Sequence, residues 1–429
     1  MTAREATDHT EASTQDDGSV KAAPSKGRSR FAALSTNRDF RLLWLGQASS
    51  EFGGSLTTLS VPLLAVALSG SPVAAGLLGS VGFVAMWLAQ LPAGYLADLA
   101  DRRLVMLWAD AIRLVLMGLF AVLLVLDAGA LWQLLVLTVV GSGLGVVFNA
   151  AQSQAMRIIV ARDQIPEAVS ITQARGFAIS MAGPPTGGVL FAIGRAIPFV
   201  ADTISYGVSM LFVWRIRTPL RPEQRPEARR LLPDLGRGWS ELAGNAFLRG
   251  KTIYAAVTNL AVSALLYTVI IGYAEDSIVL GVALSAAAGA GLLGSLVAPL
   301  IMRRFPLRAL LVGVAVLRGT TVALAAWTGN EILFAATLAV VMLAGPVVNA
   351  ALATATVLYV DAEVMGRASS SSAFVSSVLQ PVAPLLAGLM LHAWSPTLAQ
   401  WTLAGGFALV AVCALALPGL GLRLDVEET

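Results

Sequence analysis

The chain has 429 residues, 56% of them hydrophobic and 13% charged, with a net charge of +3 and a mean hydropathy of +0.75. So much apolar surface has no place in a soluble globular protein of this length, and it marks a polytopic membrane protein. One cysteine, Cys413, and two histidines, His9 and His392, exclude a disulfide framework and leave no basis for a metal centre. No cofactor and no nucleic-acid partner is expected, because the basic excess sits at loops.

Residues 1–38 are polar and mixed in charge, as expected of a disordered tail. No cleavable leader is expected there; the first span inserts directly. Twelve apolar runs follow, each long enough to cross about 30 Å of hydrocarbon at roughly 20 residues per helix. They fall near 42–68, 73–97, 104–126, 131–155, 168–192, 197–214, 252–273, 277–300, 309–327, 332–358, 368–392 and 398–418. Runs of this length without alternation are helices. The fold class is therefore an all-α membrane protein.

Of the 29 Lys and Arg, all but Arg113, Arg175, Arg318 and Arg195 lie in the two tails or in the loops after even-numbered spans. Basic loops face the cytoplasm, so both termini are expected inside. The opposite loops carry Asp127, Glu275, Asp276 and Glu331, which agrees.

Residues 39–214 form one group of six spans and 252–420 another, with a linker at 215–251 and a C-terminal tail at 421–429. Within the linker, Leu235, Trp239, Leu242 and Ala246 recur at helical spacing, which predicts an amphipathic helix over 233–248 on the inner leaflet, an irregular linker being the alternative. Gly244 and Gly250-Lys251-Thr252 come near a phosphate loop, but the spacing is wrong and no strand precedes them, so nucleotide binding is rejected. Shifting the chain by 200 residues superposes Gly145 on Gly345, Asn149-Ala150-Ala151 on Asn349-Ala350-Ala351, Pro184 on Pro384 and Gly188 on Gly388. The two halves are duplicates with the same orientation.

Two stretches carry a resemblance. Gly94 to Arg103, reading GYLADLADRR between the second and third spans, resembles the loop signature of the major facilitator superfamily, with Asp101 where that family usually has its second Gly. The departure is similar to the branch holding the enterobactin exporter and the macrolide efflux proteins. Gly183-Pro184-Pro185-Thr186-Gly187-Gly188 in the fifth span resembles the GPxxGG element of antiporters. The resemblance implies a twelve-helix transporter in two duplicated halves, with a substrate site between them. It also implies proton-coupled export of small organic molecules such as drugs, siderophores or other secondary metabolites, in a bacterial cytoplasmic membrane. A facilitated importer or uniporter of the same fold is the alternative. No bond-making enzyme is expected, and one chain suffices as a monomer.

Several residues are candidates for the work. Glu51, about ten residues into the first span, is costly at that depth unless it faces a wet cavity or carries a proton. It is either the proton-coupling acid, a ligand for a cationic or hydroxyl-rich substrate, or a polar group satisfied by a neighbour. Gly94, Asp98, Asp101, Arg102 and Arg103, with Asp110 and Arg113 three apart on the third span, are candidates for an inner gate, against a reading as topology signals and a static ion pair. Gly183, Pro184, Gly187 and Gly188 would kink and pack the fifth span. Arg175, Arg318, Asn149 and Asn349 are candidates for the cavity, although Arg175 could snorkel to the interface and the amides could join helices. Asp202 is expected at the outer interface.

Overall fold

The computed structural model describes residues 37–221, 240, 242–274, 276–360 and 371–420. The tails, most of the linker and the connection 361–370 lie outside the described residues, and so do most of the expected amphipathic helix and the side chain of Asp98. Among the described residues, twelve helical stretches are long and apolar enough to cross a membrane, the eleventh of them Ser371–Ala393. The first half comprises α1 (Arg38–Ser69), α2 (Pro72–Leu99), α3 (Arg102–Val125), α4 (Leu131–Ile159), α5 (Ile165–Ile193) and α6 (Ile197–Trp214). The second comprises α7 (Ala246–Gly272), α8 (Ser277–Met302), α9 (Leu307–Thr328), α10 (Glu331–Tyr359), α11 (Val382–Ala393) and α12 (Pro396–Ala416). No strand occurs among the described residues.

Helix starts are set by side chains that take up main-chain N–H groups left without partners in the first turn. Asn37 accepts from Phe40, Asp101 from Arg103, Asn245 from Phe247 and Leu248, Asp276 from Val279, and Asn330 from Leu333. The cap at Asn245 corrects the expected linker: Ala246 and Leu248 open α7 rather than close an interfacial helix, and Phe247 and Leu248 are buried. The first half also reaches beyond 214. Asp39 Oδ2 accepts from the main-chain N–H of Arg217 and Thr218 and from the Thr218 hydroxyl, while Ile216 and Leu220 are buried.

The stretch 94–103 is likewise mostly helix. Gly94 to Leu99 complete α2, and the turn shrinks to Ala100 and Asp101. In the eleventh span, Pro381 and Pro384 each remove a ladder bond. The chain crosses 378–383 by tighter bonds instead, from Gln380 N to Ser377 O, Val382 N to Leu379 O and Ala383 N to Gln380 O.

The halves meet along two seams, α2 with α11 and α5 with α8. In the first, a Cβ on Gly76 would collide with the Pro384 carbonyl oxygen and lie 3.1 Å from its carbon. In the second, a Cβ on Gly281 would lie 2.8 Å from Pro185 Cα and 2.9 Å from Pro184 O. Ser80 accepts from Leu385 N at 3.0 Å, and Ser285 donates to Met181 O at 2.8 Å. That carbonyl is the one Pro185, lacking an N–H, cannot engage. The seams are thus copies of one another, and these contacts lie toward the ends of the helices opposite the basic loops. Leu59 and Leu63 of α1 join the apolar core of the second half there.

Candidate functional site

The first half holds a cavity of about 400 Å³ among α1, α2 and α4, bordered by apolar groups that include Val61, Leu78, Phe83, Met86 and Leu137, with Tyr267 of α7 at its edge. A second cavity of about 200 Å³ is bordered by Gln47, Ser50, Glu51, Arg113, Asn149 and Tyr206. Gly54, Gly141 and Tyr206 border both, so an apolar cavity and a polar one adjoin. Such a combination suits a small amphipathic ligand.

Glu51 and Arg175 come together beside the polar cavity. Glu51 Oε2 accepts from Arg175 Nε at 3.1 Å and lies 3.0 Å from Nη2. The Glu51 side chain is 39% exposed and that of Arg175 only 4%. Arg175 also donates to Trp44 O at 3.2 Å and stacks 5.6 Å from the Trp44 ring. The arginine therefore meets an acid across the helices instead of snorkelling. Asn149 borders the same cavity.

Asp110 and Arg113 are both buried within the first half. Arg113 Nη1 is 3.8 Å from Asp110 Oδ1, and its guanidinium packs over Phe148 and Tyr206. It borders the polar cavity while only 8% exposed, and its Nε has no hydrogen bond. Asp110 Oδ2 accepts from Ser209 Oγ at 2.6 Å. Asp202 corrects its expected place at the outer interface: it is wholly buried against α1, accepting from Thr57 Oγ1 at 3.1 Å. Sequence position misplaced it because α6 is short and Phe199, two residues into it, is already fully buried. With Tyr206 and Ser209 it forms a polar group that sequence reasoning missed; an acid in an apolar run was its only signal.

The remaining candidates are structural in their contacts. Asp101 caps α3 and pairs with Arg221 Nε at 3.2 Å. Arg102 ties α3 to Gln154 Oε1 at 3.0 Å and to Leu220 O at 3.2 Å, whereas Arg103 has two buried guanidinium nitrogens without a hydrogen bond. Gly94 is exposed, and a Cβ there would meet nothing within 4 Å. Gly183 and Gly187 bring α5 onto α1, where added Cβ atoms would lie 2.7 Å from Ser55 Cβ and 2.8 Å from Leu56 O; Gly188 is buried beside them. Arg318 borders neither cavity. It is 2% exposed and donates to Val341 O at 2.9 Å within the second half. Asn349 is exposed and borders neither cavity.

The putative bacilysin exporters BacE of Bacillus amyloliquefaciens and Bacillus subtilis are each 30% identical to this chain over 183 residues, 42% of it. The chain thus spans 44% of the length of these curated relatives. Among solved structures, the nucleoside transporter NupG superposes with a TM-score of 0.68 at 14% identity, covering 89% of this chain and 99% of its own. A bacterial homologue of the iron transporter ferroportin, in an inward-facing state, does so at 0.66 and 15% identity, covering 88% of this chain and 98% of its own. The family model described as Major Facilitator Superfamily matches residues 43–384, and the chain belongs to that superfamily of membrane transporters.

Proposed function

We propose that this transporter is a proton-coupled exporter of small organic molecules such as drugs, siderophores or other secondary metabolites, working by alternating access in a bacterial cytoplasmic membrane. The observation that carries the reading is Glu51, in the wall of a polar cavity adjoining an apolar one and paired with Arg175 behind it. A proton on Glu51, or a cationic group of a substrate beside it, removes the counter-charge of Arg175. Each therefore competes with the other for one carboxylate, which is the elementary requirement of exchange. Outward direction is supported by the glycine-proline element of α5 and by the name of the BacE relatives. With the basic loops and both termini in the cytoplasm, the seams close the far end, the arrangement in which an exporter loads. The cavity is built within one chain, so a monomer suffices.

The test is intracellular accumulation of fluorescent dyes, macrolides and siderophores in cells expressing wild type or Glu51→Gln, with and without a protonophore. Wild type is expected to lower accumulation of at least one compound, and both the protonophore and the substitution to abolish the effect at unchanged protein level. Accumulation raised by wild type would replace this reading with a facilitated importer or uniporter.

A further inference from the structure

Asp110 and Asp202 are both wholly buried in the first half, and Arg113 is the one guanidinium they share. The groups facing Asp202 are Thr57 from α1, Arg113 from α3, and Ser205 and Tyr206 from its own helix, and Asp110 reaches the same cluster through Arg113 and Tyr206. Glu51, lower on α1, is already matched one to one by Arg175. Two carboxylates with one cation leave one negative charge uncompensated in a low-dielectric interior, a costly arrangement. Asp110 holds the ion pair, at 3.8 Å, and no ion pair reaches Asp202 among the described residues.

Three hydroxyls face the carboxylate, those of Thr57, Ser205 and Tyr206, and no cationic donor among the described residues bonds to it. The Ser205 hydroxyl lies 2.7 Å from the Asp202 main-chain oxygen and 3.1 Å from Asp202 Oδ1, yet has one hydrogen to give. Thr57 Oγ1 divides its hydrogen between Gly54 O and Asp202 Oδ2, both at 3.1 Å. An ionised carboxylate can only accept, whereas a protonated one can donate to the Ser205 oxygen and leave that hydroxyl its 2.7 Å bond to the Asp202 main chain. α1 passes close over the carboxylate, where a Cβ on Gly53 would lie 2.5 Å from Asp202 Oδ1.

We propose that Asp202 is a proton-binding site and that its proton balances the charge of the Asp110–Arg113–Asp202 cluster. Thr57 and Tyr206 border the apolar cavity, so a single side chain separates this proton from the substrate space. On the exporter reading above, on which this last step rests, Asp202 supplies a proton that is exchanged for substrate.

Infrared spectroscopy of the full chain in liposomes tests the site directly. Wild type is expected to show the carbonyl stretch of a buried protonated carboxyl group, Glu51→Gln to keep it and Asp202→Asn to lose it. Asp110→Asn leaves one carboxylate for one guanidinium, so it too should lose the band although Asp202 is intact. No band in wild type, or a band that survives either Asp→Asn change, overturns the proposal. In the same liposomes, Asp202→Asn is expected to let substrate equilibrate but not accumulate against its gradient under an imposed pH difference. If wild-type transport itself ignores that pH difference, the exporter reading fails while the band result stands on its own. If wild type responds and Asp202→Asn responds equally, the exchange step fails and the reading survives.

Discussion

Arg113 and Arg318 make the same reach in the two halves: each donates through Nη2 to a carbonyl of the following long helix, Gly141 at 3.4 Å and Val341 at 2.9 Å, carbonyls 200 residues apart in the duplicated chain. Their surroundings have diverged. Three residues before Arg113 stands Asp110, and before Arg318 stands Ala315. The ancestral reach has kept its structural use in one half and been drawn into the cavity wall in the other.

Arg318→Met should therefore weaken the fold without altering recognition. Losing a hydrogen bond from a charged donor costs about 1.5–3 kcal/mol, which a lowered melting temperature in detergent would report, while the substrate KM of the surviving protein stays unchanged. Arg113→Met should change KM as well as stability, since Arg113 borders the cavity. A KM that moves with Arg318 as with Arg113 would contradict the division.

At the seams, Gly76→Ala places a methyl group against the Pro384 main chain. Overpacking of a tight contact costs about 1–3 kcal/mol, enough to shift a two-state equilibrium roughly 5- to 150-fold. The substitution should depopulate the conformation described here, read as a longer distance between spin labels on the outer ends of α2 and α11. Gly281→Ala should act in the same direction across α5 and α8. Unchanged distance distributions would show that the seams are not what holds this state.

For Asp101, capping and gating separate by a charge-neutral substitution. Asp101→Ala removes the cap of α3, worth about 1 kcal/mol, and should lower thermal stability; Asp101→Asn keeps an accepting oxygen and should retain most of it. If Asn is as inactive in transport as Ala yet folds like wild type, the carboxylate charge works in a gate. If Asn restores both stability and transport, the residue is a helix cap. Gly94→Ala should be silent in both assays.

Span count and ends were legible because membrane thickness is a one-dimensional constraint, satisfied by apolar length and marked by polar breaks: the sixth span occupies the expected 197–214. That Glu51 and Arg175 need a partner or a cavity was legible for a related reason, since a charge far from a span end cannot stand alone in hydrocarbon, and the two pair with each other. What each helix face looks at is a three-dimensional matter that one sequence does not print. Asp202, close to a helix end by number, is deep because Gly53 lets α1 close over it. Gly94 to Leu99 carry the residues of a loop signature, yet continue α2, whose ladder ends only where Asp101 starts the next helix.

Of the residues bordering the two cavities, Tyr267 alone comes from the second half. The cavity walls are therefore almost all of first-half origin, whereas each seam draws one helix from each half. Substitutions at wall positions such as Phe83, Met86 or Leu137, away from Gly76, Ser80, Met181, Pro184 and Pro185, can reshape the cavity and leave the seam contacts in place. A duplicated chain arranged in this way can drift toward new compounds on one copy's cavity face without remaking the joint between the copies.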